Sequence, residues 1–134
     1  MTVERINPAE LARPSGFSHA VKAPAGYMIF LAGQVGVDRD GKVAAGGVVP
    51  QFEQALANLL TALAAAGGQP SELVSLTIYL TDVEDYQAYS KDIGAVWRRL
   101  AGTEYPAIAG VGVTKLWLPA ALVEIQGIAM VSRS

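Results

Sequence analysis

Residues 105–130, which read YPAIAGVGVTKLWLPAALVEIQGIAM, decide the fold of this chain. β-Branched and small apolar residues dominate the stretch, and Pro119 cannot donate a ladder hydrogen bond, so we expect two strands joined through residues 117–121. Alternation along the second strand puts Glu124 on one face with Leu122, Gln126, Ile128 and Met130. Glu124 is therefore a lone carboxylate in an apolar segment. Such a residue is solvated at an edge, paired with a donor, or retained for chemistry.

The composition predicts one domain that associates with itself. At 134 residues the chain is long enough for a core of its own, and we expect residues 1–134 to form a single domain. Charged residues make up only 16% of the chain and apolar residues 51%. Typical soluble domains carry roughly 25% charged residues. A surface so poor in charge favours burial against further copies, so we expect a homo-oligomer.

The charge and the residue counts argue against several kinds of site. A net charge of −2, with no run of lysine or arginine, disfavours nucleic-acid binding. The chain has no cysteine, which excludes a disulfide, a thiolate nucleophile and a cysteine-ligated metal. Its one histidine, His19, cannot build a site of two or three imidazoles. We therefore expect neither a metal nor a cofactor.

The N-terminal residues carry no targeting signal that we can identify. Residues 1–8 lack a basic start followed by an apolar core of signal-peptide length. No apolar run approaches the ~20 residues that cross a bilayer. We expect a soluble, cytoplasmic protein without a membrane partner.

The remaining pattern predicts an α+β sandwich with two helices on one face of a sheet. Strands are expected at residues 17–21, 27–36 and 73–80, with a short one through Val43, and helices from Pro50 to Gly67 and from Asp82 to Gly102. Because residues 27–33 are apolar on both faces, we expect a helix or a neighbouring subunit to cover each face. Residues 6–16, rich in proline and glycine, are expected to lie over the domain surface.

Both predicted helices have a recognisable buried stripe. In the first, the stripe is Phe52, Leu56, Leu59 and Leu63, and the opposite side is polar but almost uncharged. In the second, it is Tyr86, Tyr89, Ile93, Val96, Trp97 and Leu100, with Asp82 as the N-terminal cap. Arg98 and Arg99 are expected to act on the C-terminal end of the helix dipole. In the strand at 73–80, Val74, Leu76, Ile78 and Leu80 are expected to face one way.

Motifs for standard catalysis are mostly absent. Gly110-Val-Gly112 lacks the third glycine and the helix of a dinucleotide fingerprint. A serine, histidine and aspartate triad would depend wholly on His19. Because His19 shares an apolar strand face with Phe17, it is either a structural hydrogen-bonding histidine or a base, and the pattern leaves both open.

Eight segments, taken in order and spacing, resemble the Rid family of YjgF-like proteins, which are enamine and imine deaminases. The segments are residues 14–20, 30–36, 54–58, 64–67, 77–82, 105–107, 118–119 and 123–125. The resemblance covers nearly the whole chain. It implies a chorismate-mutase-like α+β fold with a mixed sheet and two helices on one face. It also implies a homotrimer whose sheets form a barrel, with small-molecule clefts between subunits.

The resemblance also implies a site, which this chain carries only in part. Glu124 matches the glutamate that positions and polarises the attacking water, and Gly33 and Gln34 match a backbone corner at the cleft. His19 and Ala107 fall in the segments that line it. Three positions depart from the family pattern. Phe17 replaces a tyrosine, Ser90 replaces a common asparagine, and Ile108 replaces an arginine that binds the substrate carboxylate.

Three interpretations follow from these departures. The chain is a hydrolase of an imine or enamine that is apolar where the usual carboxylate would be, so its activity on 2-aminoacrylate is weak. Alternatively, it is a non-catalytic trimeric module that binds a ligand or stabilises a protein, with Glu124 paired to a backbone donor or to His19 across an interface. The third interpretation is the endoribonuclease or translation-inhibitor function sometimes attributed to the family, which needs an RNA surface, and the acidic composition disfavours it.

Overall fold

The computed structural model describes residues 3–132, so Met1, Thr2, Arg133 and Ser134 lie outside it. The strands are β1 (Glu4–Ile6), β2 (Ala20–Lys22), β3 (Gly26–Val35), β4 (Leu73–Leu80), β5 (Ala107–Gly112) and β6 (Val123–Ser132). The helices are α1 (Val48–Ala65), α2 (Val83–Ala88) and α3 (Ser90–Ala101), with a short 3-10 turn at Pro70–Glu72. The proposal that residues 1–134 form a single domain, and the interpretation of residues 1–8, include residues outside the described range and stay predictions.

The main sheet is mixed, and its strand order is β3-β6-β4-β5. β6 is antiparallel to both β3 and β4, whereas β4 and β5 are parallel. The two strands predicted from residues 105–130 are present, but β4 lies between them. This is the geometry expected when α2 and α3 form the crossover from β4 to β5, because a parallel pair needs a long connection.

α1 covers one face of this sheet, as its leucine stripe predicts. Phe52, Leu56, Leu59 and Leu63 are all buried in the core. The helix begins at Val48, so Pro50 occupies the first turn, where its missing N–H is not needed. Beyond its C-terminal end, the backbone N–H of Gly68 donates to the carbonyl of Leu63 at 2.9 Å. Ile93, Val96 and Trp97 of α3 join the same core, so the helices lie on one face as predicted.

The second predicted helix is broken into α2 and α3 at Tyr89. The expected cap is present, since the Asp82 carboxylate accepts the backbone N–H of Asp85 at 3.0 Å. Tyr89 has φ −104° and ψ 23° and ends α2 where α3 begins. The turn at this residue directs its side chain outward, and it is 47% exposed. The prediction that Tyr89 belongs to the buried stripe was therefore wrong.

Two of the predicted strands are shorter than expected. The strand placed at residues 17–21 is β2, which begins only at Ala20 and pairs with β1. Ser18 instead forms a parallel bridge with Ala107 at the start of β5. The strand expected through Val43 reduces to a single antiparallel bridge between Val37 and Val43.

In β4, the register against β6 shifts between Leu73 and Ser75. The extra residue turns Leu73 into the core and leaves Val74 only half-buried. The prediction that Val74 shares the buried face of Leu76, Ile78 and Leu80 was therefore wrong, although those three are buried as expected.

The face of the sheet opposite the helices is open and apolar on β3. Phe30 is 72% exposed there, and Met28 is exposed as well. Within residues 3–132 only one face of β3 is covered, so the expected cover on the second face stays a prediction. None of the helices in the described range has the length and apolar character needed to span a bilayer.

Candidate functional site

Glu124 lies in the middle of the sheet, on the face turned away from the helices. β6 is flanked there by Val35 of β3 and Tyr79 of β4. Its neighbours Val123 and Ile125 are fully buried beneath α1, whereas Glu124 is half-buried on the opposite face. The alternation predicted from the sequence is confirmed, and it places the carboxylate between apolar residues of β3 and polar residues of β4, among them Thr77 and Tyr79.

A β-bulge in β3 faces this carboxylate. Leu31 pairs with Gly127 and Gln34 with Ile125, so β3 has one residue more than β6 over the same interval. A bulge of this kind bends a strand and redirects its residues, and it often borders a functional site. The bulge brings Gly33 against Glu124. The Glu124 Oε2 atom stands where a Cβ on Gly33 would be, so a larger residue at position 33 would displace the end of this side chain.

The Glu124 carboxylate has no partner within the described chain. No backbone or side-chain donor from residues 3–132 hydrogen-bonds to it, and no cation pairs with it. The adjacent polar residue on the same face, Gln126, is engaged by the Tyr79 hydroxyl at 3.1 Å. An ionised carboxylate has about four lone-pair positions for acceptance. Those of Glu124 are free to act on a ligand or a water.

Two residues that the sequence left on the polar side of α1 hold this region in place. Gln51 is only 5% exposed, and its amide donates to the Ala120 carbonyl at 3.3 Å and accepts the Leu122 N–H at 2.8 Å. Asn58 donates to the carbonyls of Val35 and Val37 at 3.2 and 2.8 Å. The available signal was the uncharged character of that polar side, since amides, unlike charges, are readily buried when they bond to backbone.

A second group of predicted site residues lies at the β5 edge of the sheet. Phe17, His19, Ala107 and Ile108 line a shallow hollow of about 270 Å³. Ser18 fastens this segment to the start of β5, because its hydroxyl donates to the Tyr105 carbonyl at 2.7 Å and its N–H to that of Pro106 at 2.9 Å.

His19 has a structural hydrogen bond in this segment. Its Nε2 lies 2.7 Å from the Ala12 carbonyl, which can only accept, so Nε2 carries the proton. Its backbone N–H donates to the Asn7 side chain at 2.8 Å, and its ring meets Phe17 edge-on at 5.2 Å. Of the two roles left open for His19, this geometry supports the structural one.

Within one chain, the residues around Glu124 and the predicted site residues at the β5 edge do not meet. Glu124, Gly33 and Gln34 meet where β3 pairs with β6. Ile108 is in β5, which β6 and β4 separate from β3. It lies opposite the buried Leu76 and packs against the helix-side core. Ser90, at the start of α3, lines a larger cavity together with Ile108. Among residues 3–132, no group of three or more histidine, aspartate or glutamate side chains could hold a metal ion.

Comparisons with known proteins agree with this architecture. Residues 8–131 match a family model described as endoribonuclease L-PSP. A RutC family protein of Pyrococcus horikoshii is 33% identical over 119 residues, which cover 87% of this chain and 89% of the relative. A protein of Capra hircus named 2-iminobutanoate/2-iminopropanoate deaminase is 34% identical over 103 residues, covering 76% of this chain and 72% of the relative.

A solved structure extends the likeness to the fold. It belongs to a protein of unknown function from Yersinia pestis, assigned to the conserved Rid protein family, with 34% sequence identity and a TM-score of 0.84. The match covers 98% of this chain and 100% of that one. The α+β fold predicted from the sequence is thereby confirmed, with a mixed sheet and three helices where two were expected.

Proposed function

This chain belongs to the Rid (YjgF-like) family, and we propose that it hydrolyses small imines or enamines at Glu124, in a cleft formed between copies of the chain. The observation that carries the proposal is the Glu124 carboxylate, which is half-buried, unpartnered within residues 3–132 and held against the β3 bulge. The deaminase name of a relative supports the reaction class.

In the proposed reaction, Glu124 acts as the general base. It accepts a proton from a water that attacks the carbon of the C=N bond and returns that proton to the nitrogen, which gives a neutral carbinolamine. The carboxylate then moves the carbinolamine O–H proton to the nitrogen as the C–N bond breaks, and a ketone and ammonia leave. An enamine substrate first tautomerises to the imine. The proposed reaction needs neither a metal nor a redox cofactor.

The separation of the two residue groups supports a shared cleft. Within one chain, the Glu124 group lies near β3 on one face, while Phe17, Ala107 and Ile108 lie at the opposite edge of the sheet. A second copy packed edge to face could bring the β5 edge of one chain to the Glu124 side of another. The exposed Phe30 on the uncovered face supports such association, and we propose a homotrimer.

Ile108 determines which substrates the cleft accepts. An isoleucine offers no donor to a carboxylate, whereas an arginine would offer a planar fork of N–H groups. Loss of a buried charge-assisted pair costs several kcal/mol, about 10²–10³-fold in rate. We therefore propose that the substrate is apolar at the atoms that contact Ile108, and that 2-aminoacrylate is processed slowly.

The test is turnover with and without Glu124. The protein is supplied with 2-iminopropanoate and with an imine that has a hydrocarbon group in place of the carboxylate, and released ammonia is measured. We expect faster turnover of the second substrate and its loss in Glu124→Gln, with the assembly state unchanged by light scattering. Equal rates in Glu124→Gln and the unaltered protein would refute the proposed chemistry.

Two other functions are separated by the same preparation. Loss of assembly in Glu124→Gln, without turnover of any imine by the unaltered protein, would favour the non-catalytic module. Retarded migration of RNA at low salt would favour the activity named in the family model. We expect no retardation, because the net charge is −2 and no basic run is present.

A further inference from the structure

A cavity of about 590 Å³ lies beneath α2 and α3, on the helix side of Ile108. Volumes of this size accommodate small organic ligands. Its apolar walls are Phe52, Ile78, Ile93, Trp97, Tyr105 and Ile108. The cavity is therefore suited to a ligand with an apolar or aromatic body.

The aromatic wall is rigidly built. Trp97 is only 5% exposed and stacks on Tyr105, with ring centroids 5.7 Å apart and planes inclined by 23°. On the other side, Tyr86 meets Phe52 edge-on at 6.0 Å. Burial raises the pKa of Tyr86 to about 12, so its hydroxyl stays protonated even at moderately alkaline pH. A ligand would meet preformed rings, and Tyr86 is one of four hydroxyl-bearing residues in the lining, with Ser15, Ser90 and Tyr105.

Two cations, both on exposed residues, border this apolar space without a counter-ion. Lys91 and Arg98 both line the cavity, whereas no aspartate or glutamate of the described chain does. Neither side chain makes an ion pair or a hydrogen bond within residues 3–132. The next residue, Arg99, pairs with Glu53 at 2.9 Å and does not line the cavity. The positive charge at Lys91 and Arg98 is therefore available to an anion.

The geometry of α3 keeps both cations on the cavity side. Lys91 and Arg98 are seven positions apart, which is two turns and ~10 Å along a helix. Gly94 lies between them and has no side chain to fill the space. A Cβ there would stand 3.3 Å from Arg98 Nη1, so the guanidinium folds back over Gly94. This is the direction in which helical side chains normally lean.

We propose that this cavity binds a small anionic ligand, with its carboxylate at Arg98 and Lys91 and its apolar or aromatic body against Trp97, Tyr105 and Ile108. If this ligand is the substrate of the hydrolase, the proposal rests on the function proposed above, and the substrate is an imine whose acid group is separated from the reacting carbon by an apolar body. The proposal that the cavity binds an anion rests on the cavity alone.

Binding can be followed by the fluorescence of Trp97. The chain has two tryptophans, and Trp117 is 97% exposed and outside the cavity, so Trp117→Phe leaves Trp97 as the single reporter. In that background, 3-phenylpropanoate should change the emission to saturation. The uncharged 3-phenylpropanamide, of the same shape, should bind at least about tenfold more weakly.

Matched arginine variants test where the anion binds. Arg98→Gln should weaken 3-phenylpropanoate binding about tenfold or more, and Lys91→Gln should weaken it to a smaller extent. Arg99→Gln removes the same charge one residue away and should change the dissociation constant less than twofold. Equal binding of acid and amide, or equal effects of Arg98→Gln and Arg99→Gln, would overturn the proposal.

The titration is independent of catalysis. Glu124→Gln in the Trp117→Phe background should lose turnover and still bind 3-phenylpropanoate. If the acid fails to bind while turnover remains dependent on Glu124, the cavity proposal is wrong and the hydrolase stands. If the acid binds through Arg98 but no imine is hydrolysed, the binding site stands and the hydrolase does not.

Discussion

The carboxylate of Glu124 occupies the space that a side chain on Gly33 would need. The two residues lie on neighbouring antiparallel strands, and the bulge in β3 brings their backbones into this close approach. Gly33 does not have a positive φ, so its role is proximity to the acid and not a special backbone conformation. The position of the proposed base therefore depends on a residue that carries no functional group.

Gly33→Ala should displace Glu124 and reduce turnover as strongly as Glu124→Gln. The clash is with the end of a half-buried side chain at an exposed glycine, so stability should fall by less than the about 1–3 kcal/mol that overpacking a core costs. Ammonia release and urea denaturation measure the two effects. Gly110→Ala in β5 is the control, because a Cβ there meets nothing within 4 Å and stability should change little. If Gly33→Ala kept full activity, Glu124 would not need its present position.

Gln51→Ala should destabilise the protein and loosen the connector that leads into β6. The buried amide bonds both the Ala120 carbonyl and the Leu122 N–H, and the variant leaves these groups unpaired. A group left unpaired in the interior costs about 1–3 kcal/mol. Because Ala120 is exposed and Leu122 half-buried, water can replace part of these bonds, and the free energy of unfolding should fall by about 1 kcal/mol, as urea denaturation would show. Thr61→Ala, on an exposed turn of the same helix, should cost less than about 0.5 kcal/mol.

The sequence predicted the parts of this fold that depend on local periodicity. The leucine stripe of α1 and the alternation around Glu124 follow from side-chain spacing alone, and both are confirmed. Strand order does not follow from periodicity, so the insertion of β4 between β5 and β6 could not be seen. The prediction for Tyr89 was wrong for a related reason. Its spacing is that of a helix, but the break between α2 and α3 turns its side chain outward.

The sequence predicted the acidic residue of the candidate site but not its cationic residues. Glu124 stood out as a lone carboxylate in an apolar strand. Arg98 and Arg99 look equivalent in sequence, since both fall in the last turn of a helix. Only the packing separates them, because Arg99 meets Glu53 from α1 while Arg98 folds over Gly94 into the cavity.

Tyr86→Phe should remove a loss of stability at alkaline pH. Burial raises the pKa of Tyr86 from 10.0 to about 12, so between these values the unfolded chain releases a proton that the folded chain keeps. The free energy of unfolding therefore falls as pH rises through this window, by about 1.4 kcal/mol at pH 11 from this residue. Denaturation at pH 8 and pH 11 should show a smaller drop in Tyr86→Phe. A drop of equal size in both proteins would mean that Tyr86 titrates as it does in the unfolded chain.

Ile108→Arg should raise the rate on 2-iminopropanoate by about tenfold or more, because the guanidinium restores a donor fork for the carboxylate. The gain should fall short of the full 10²–10³-fold that a lost charge-assisted pair implies. Ile108 borders the cavity that already holds Lys91 and Arg98, so the new cation meets like charges. Arg98→Gln combined with Ile108→Arg should therefore gain more than Ile108→Arg alone.

Ile108→Lys serves as the control, since it restores the charge without the paired N–H donors of a guanidinium. No gain in any of the three, in a protein that still assembles, would mean that the cleft recognises its substrate without contact at residue 108.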